Sequence, residues 1–171
     1  PVPLPALDPY PNATAGVGAT AVRIAPEPGY VFQAGAVLQA ITPRTRLIFL
    51  NTPNNPTGQL IAAADVKRIA DAAPDAVVLV DEAYIEFGGE TFLADLPAHP
   101  NVLIGRTFSK AYGLAGMRVG LLIGQRQALD PIRDVTLPFN INAVAMAATL
   151  AALDDLDFLP RYASEVAESR V

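Results

Sequence analysis

The sequence predicts an α/β domain in which helices cover both faces of a mostly strand-built sheet. Two observations carry that expectation. The apolar runs in RLIFL (46–50) and AVVLV (76–80) are continuous rather than alternating, and each closes abruptly in polar, turn-forming residues. Such runs fit parallel strands covered on both faces. In addition, Asn55, Asp81 and Lys110 all fall at or just beyond the ends of strand-like segments. Ligands gather at the carboxyl ends of strands in open α/β sheets, so one crevice can collect all three.

Taken in order, a helix is expected near 11–18 and a strand at 21–25 (AVRIA). The intervening Gly16-Val17-Gly18-Ala19-Thr20-Ala21 fits the G-x-G-x-x-G/A dinucleotide pattern. That fingerprint needs a strand before it and a helix after it. Here the order is reversed, so these glycines are expected to end the first helix. A helix near 33–41 leads to a strand at 46–50, then to the Pro/Gly-punctuated loop NTPNNPTG at 51–58. A helix near 60–73 precedes a strand at 76–81 that ends in Asp81-Glu82. His99 lies in the turn AHPN before a strand at 101–106, and a further strand is expected at 118–123. The stretch 141–153 is Ala-rich and apolar nearly all round, which predicts a helix buried against another domain or subunit. A last helix begins near 157.

Composition narrows the function classes. The net charge is −5, and the basic residues are scattered rather than gathered on one face, which argues against nucleic-acid binding. Hydrophobic residues make up 51% of the chain, yet no apolar run approaches the ~18 residues of a membrane span. There are no cysteines and one histidine, so neither a disulfide framework nor a transition-metal site is expected. PVPLPALDPYPN at the start has neither the basic region nor the apolar core of a signal peptide, and a soluble, cytoplasmic enzyme is expected.

Lysine usage is the most telling detail. Lys67 and Lys110 are the only two lysines, against ten arginines. An amine can lose its proton and form a Schiff base with an aldehyde, whereas a guanidinium effectively never deprotonates. Most lysines are solvated surface groups. Lys110, however, sits in TFSKAYGLAGMRVGLLIG (107–124), a hydroxyl-rich turn that leads through Arg118 into a strand.

With these segments assembled, the chain resembles the fold type I pyridoxal-phosphate aminotransferases, and among them the histidinol-phosphate aminotransferase family. The matching pieces are NTPNNPTG (51–58), DEAYIEF (81–87), RTFSKAYGLAGMRVG (106–120) and LPFNINAVAMAATLAAL (137–153), in that order along most of the chain. The resemblance implies a mostly parallel sheet with the 118–123 strand antiparallel. It also implies pyridoxal 5′-phosphate as cofactor and transfer of an amino group between L-histidinol phosphate and 2-oxoglutarate. Lys110 would be the catalytic amine that holds the cofactor and then shuttles a proton. Asp81 would keep the pyridine nitrogen protonated, and Asn55 and Tyr84 would donate to the phenolic oxygen. Arg118 would grip the phosphate with help from the hydroxyls of Thr107 and Ser109. Glu82 is read as structural or solvent-facing, since one carboxylate serves the ring nitrogen.

The resemblance divides the chain into a pyridoxal-phosphate-binding large domain over 1–153, incomplete at its N-terminus, and the start of a helix toward a small domain over 154–171. A homodimer is implied. The segment alone is expected to be poorly soluble or self-associated, because it would expose faces meant for the rest of the family's fold, and inactive, because the family's substrate-carboxylate arginine and one phosphate loop have no counterpart here. Pro5-Ala6-Leu7 departs from the family's Pro-x-aromatic pattern, leaving either an aliphatic face or Tyr10 to pack on the cofactor ring. Other reactions remain open: a different amino-acid aminotransferase, a phosphoamino-acid decarboxylase, or a cofactor-binding regulatory module.

Overall fold

The structure, a computed structural model, describes residues 1–6 and 9–169. Leu7, the departure from the Pro-x-aromatic pattern, lies outside the described residues. The principal sheet has four strands in the order β3 (Leu47–Asn51), β4 (Val77–Asp81), β5 (Val102–Thr107) and β6 (Gly120–Gly124). The first three run parallel, with Asn51 beside Asp81 and Asp81 beside Gly105. β6 pairs antiparallel with β5, from Thr107↔Gly120 to Leu103↔Gly124. A short parallel pair, β1 (Val2–Pro3) and β2 (Arg23–Ile24), leans on this sheet through Phe49 N–H, which donates to Pro1 O at 3.1 Å.

Side chains alternate between sheet faces, and the burial shows which face is the core. Ile48, Leu50, Val78, Val80, Val102 and Ile104 are all 0% exposed. They meet Val37 of α2 (Ala34–Gln39) and Val66, Ile69 and Ala70 of α3 (Ala63–Ala72). The amphipathic face of α3 forms because its apolar residues recur at three- and four-residue spacing. Asn101 holds the end of α3 by donating to the carbonyls of Ala70 and Ala73, both at 3.0 Å. On the opposite face, Tyr10 of α1 (Pro9–Gly16) stacks on Phe49, with ring centroids 4.8 Å apart. A smaller cluster joins Phe108 and Val119 to Ala145 of α5 (Ala143–Asp154).

Several expected boundaries move for local reasons. The strand expected at 21–25 is confined to Arg23–Ile24, the two residues that β1 can pair. The helix expected from 60 starts at Ala63, because Ile61 N–H donates to the buried hydroxyl of Thr52 at 3.0 Å and the chain stays extended through Ala62. The last sheet strand starts at Gly120 rather than 118, since Arg118 is left-handed at φ 57°. A helix absent from the sequence-based expectation, α4 (Arg126–Val135), follows β6 and contains Pro131. The glycines after α1 do end it: Gly18 has φ 72°, a conformation glycine adopts without strain. α6 (Phe158–Glu168) closes the described chain, and among the described residues no helix is long and apolar enough to cross a membrane.

Candidate active site

The carboxyl ends of β3, β4 and β5 lie side by side, so the loops that leave them share one edge of the sheet. The backbone of this edge is tied together first. Thr52 N–H donates to Asp81 O at 3.0 Å, and Glu82 N–H donates to Gly105 O at 2.9 Å. Buried Asn51 links the strand ends from its side chain: its Nδ2 donates to Asp81 O at 3.3 Å, while its Oδ1 accepts from Asn55 N–H at 2.8 Å. Asn51 thereby sets where Asn55 can point.

Asn55 and Tyr84 meet directly, with Asn55 Nδ2 donating to the Tyr84 hydroxyl at 3.0 Å. Lys110 comes from a third segment, the turn after β5, and its Nζ stands 5.2 Å from the centre of the Tyr84 ring. An ammonium over an aromatic face is held by the ring's quadrupole. Asp81 ends β4 with its carboxylate fixed at both oxygens. Oδ1 accepts from Ala83 N–H at 3.0 Å, and Oδ2 accepts from the Tyr10 hydroxyl. Burial first, then the bond to Asp81, pushes the Tyr10 phenol well above its ordinary pKa, so it remains a donor.

Thr107, Ser109 and Arg118 lie on the two sides of the β5–β6 connection. The Thr107 hydroxyl accepts from Ser109 N–H at 3.1 Å and faces Val119 O at 3.4 Å. Arg118 is exposed, and its fork turns back to donate to Ala115 O at 2.9 Å. The structure therefore brings Asn55, Tyr84 and Lys110 together and sets Asp81 on the same edge, while the Arg118 fork is engaged with the Ala115 carbonyl.

Glu82 has a different fate from Asp81. Alternation along β4 puts it with Val78 and Val80 on the core face, and its side chain is 0% exposed. It is structural, and the solvent-facing alternative does not hold. Its Oε2 accepts from Arg106 Nη2 at 2.8 Å and from Thr91 Oγ1 at 2.8 Å, and Oε1 accepts from Phe92 N–H at 2.7 Å. A buried carboxylate persists only with such partners. Burial also raises the nearby Glu86 carboxyl, an effect that the charge of Arg106 partly offsets. Sequence reasoning assigned no role to Arg106, Asn51 or Thr91. The signal that could have found this anchor is the two-residue period of a strand, which carries position 82 onto the buried face of Val78 and Val80.

The donor set suits pyridoxal phosphate on chemical grounds. A carboxylate held in place can accept from a protonated ring nitrogen, an amide and a phenol can meet a phenolate oxygen, and a primary amine can meet an aldehyde. Hydroxyls and a guanidinium for a phosphate lie on the adjoining turn. An open pocket of about 580 Å³ adjoins Asn55 and Tyr84, and Leu60, Phe87 and Tyr162 contribute apolar and aromatic walls.

Known proteins agree with this geometry. A histidinol-phosphate aminotransferase from Methanocella arvoryzae is 42% identical over 99% of this chain, which covers 47% of that protein. An aromatic amino acid aminotransferase from Rhodococcus opacus is 44% identical over 84% of the chain, and 41% of that protein is covered. Among solved structures, histidinol-phosphate aminotransferase from Sinorhizobium meliloti in complex with pyridoxal-5′-phosphate superposes with a TM-score of 0.90 at 30% identity, covering 99% of this chain and 47% of that one. The chain thus spans less than half the length of the curated relatives it matches. Strand order, edge geometry and a family model that matches residues 2–171 lead to one assignment: the chain belongs to the class I and II aminotransferase family.

Proposed function

We propose that the protein containing this chain is a pyridoxal-phosphate-dependent aminotransferase that moves an amino group between L-histidinol phosphate and 2-oxoglutarate. The observation that carries this reading is the meeting of Asn55, Tyr84 and Lys110, from three separate segments, on the edge where Asp81 ends β4. Pyridoxal phosphate supplies, when bound, an aldehyde and a ring that draws electrons from the carbon beside it. Everything else falls to the chain. Lys110 Nζ would anchor the cofactor and, once displaced by an incoming amine, would carry the proton from the substrate α-carbon to the cofactor carbon that bore the aldehyde. Asp81 holds a proton on the ring nitrogen. Asn55 Nδ2 and the Tyr84 hydroxyl donate to the phenolic oxygen. Thr107 and Ser109 offer hydroxyls to the phosphate, and Arg118 reaches it by leaving the Ala115 carbonyl.

In this reading, 1–153 forms the cofactor-binding large domain and 154–171 begins the connection to a small domain. The protein is a cytoplasmic homodimer, a state that the apolar surface of α5 suits: Val144 is 69% and Leu150 55% exposed. The histidinol-phosphate assignment draws support from the relatives at 42–43% identity that carry that name. A second reading, an aromatic amino acid aminotransferase, draws on the Rhodococcus relative and on the Phe87 and Tyr162 walls of the pocket. Steady-state assays of the intact protein with 2-oxoglutarate decide between them. We expect kcat/KM for histidinol phosphate to exceed that for phenylalanine and tyrosine. The reverse order supports the second reading, and no transamination of either donor rejects both.

A further inference from the structure

Asp81 is held in a way its position at a strand end does not require. A strand-end aspartate commonly caps the following turn, and Asp81 does so through Oδ1 and the Ala83 N–H. Its other oxygen accepts from Tyr10, a residue 71 positions away on a helix that is not part of the strand-end loops. Tyr10 is itself constrained. Its ring lies on Phe49 of β3 at an interplanar angle of 25°, and its backbone carbonyl accepts from Thr14 Oγ1 at 2.8 Å. Two rigid supports, one local and one distant, therefore fix the plane of a single carboxylate.

We infer that Tyr10 is a positioning residue: its hydroxyl, seated on Phe49, orients the Asp81 carboxylate toward the cofactor ring nitrogen. This inference rests on the cofactor assignment proposed above. A donor to a carboxylate favours the charged form, and a carboxylate oxygen has a second lone pair for the ring N–H. Burial keeps the proton on the phenol, so Tyr10 donates to Asp81 without competing as an acid.

The test is a double-mutant cycle in the intact protein, read as the dissociation constant of pyridoxal phosphate by equilibrium dialysis. Tyr10→Phe keeps the ring on Phe49 and removes only the hydroxyl. A hydrogen bond to a charged group supports a loss of about tenfold in affinity. In the Asp81→Asn background, the same change should alter the constant less than about twofold, because the partner it acts through is gone. Phe49→Leu loosens the seat while keeping the hydroxyl. It should weaken binding by a smaller factor, again only when Asp81 is present, and it serves as the test if Tyr10→Phe does not fold. An unchanged constant in both single variants overturns the inference, as does an equal loss in both backgrounds. If neither Asp81→Asn nor Lys110→Ala affects binding, the cofactor reading itself fails instead.

Discussion

The strand-end edge and the C-terminal helices of this chain solve the problem of exposed groups in opposite ways. At the ends of β3, β4 and β5, Asn51, Asn55, Asp81, Glu82 and Tyr84 all find partners inside the chain. Between Val135 and Leu153 the chain instead shows apolar side chains to solvent, with Leu137 77% and Phe139 98% exposed. α5 buries only Ala145 and Thr149. The first region pairs its polar groups within the chain. The second presents apolar area that water disfavours, as a surface that associates would.

The largest expected effect breaks the first region at its electronic centre. In the intact protein, Asp81→Asn should still bind cofactor, though more weakly, and at saturating cofactor should lower turnover by at least about a hundredfold, since a neutral amide cannot hold the ring nitrogen protonated. Stopped-flow or steady-state kinetics measure it. Near-normal turnover would reduce Asp81 to a strand-end cap. A step smaller in consequence for chemistry but large for folding is Glu82→Ala. Arg106 then loses its buried partner, and denaturant unfolding should show a loss of roughly 3–5 kcal/mol. A loss under about 1 kcal/mol would mean that the edge does not depend on its buried ion pair. The smallest effect probes the second region. Asn142 Oδ1 accepts from Ala145 N–H at 2.9 Å at the start of α5, so Asn142→Ala should cost about 1 kcal/mol in the same measurement. No change would show that contacts elsewhere fix α5.

Much of the edge was legible in the sequence, because the residues that make it lie next to runs whose pattern is unambiguous. Apolar segments at 46–50 and 76–81 became β3 and β4 within one residue, and strand ends pointed to Asn55, Asp81 and Lys110, whereas Tyr84 came only through the family resemblance. What escaped depended on distance or on backbone conformation. Tyr10 reaches Asp81 across 71 residues, a contact that no local pattern encodes. Arg118 takes a left-handed backbone without glycine, and its guanidinium settles on Ala115 O. Pro131 hides α4, because a proline inside a run reads as a stop even where an exposed helix tolerates it. Glu82 was readable in hindsight from Val78 and Val80, since a two-residue period carries the third position onto the same buried face.

On the proposed reading, Lys110 is the amine that holds pyridoxal phosphate. Borohydride reduction of the intact, cofactor-loaded protein, followed by proteolysis and mass spectrometry, tests it most directly. We expect a reduced cofactor adduct on the peptide that contains Lys110, and its disappearance in Lys110→Ala together with transamination. An adduct on Lys67, or one that persists on another residue in the Lys110→Ala variant, would contradict it.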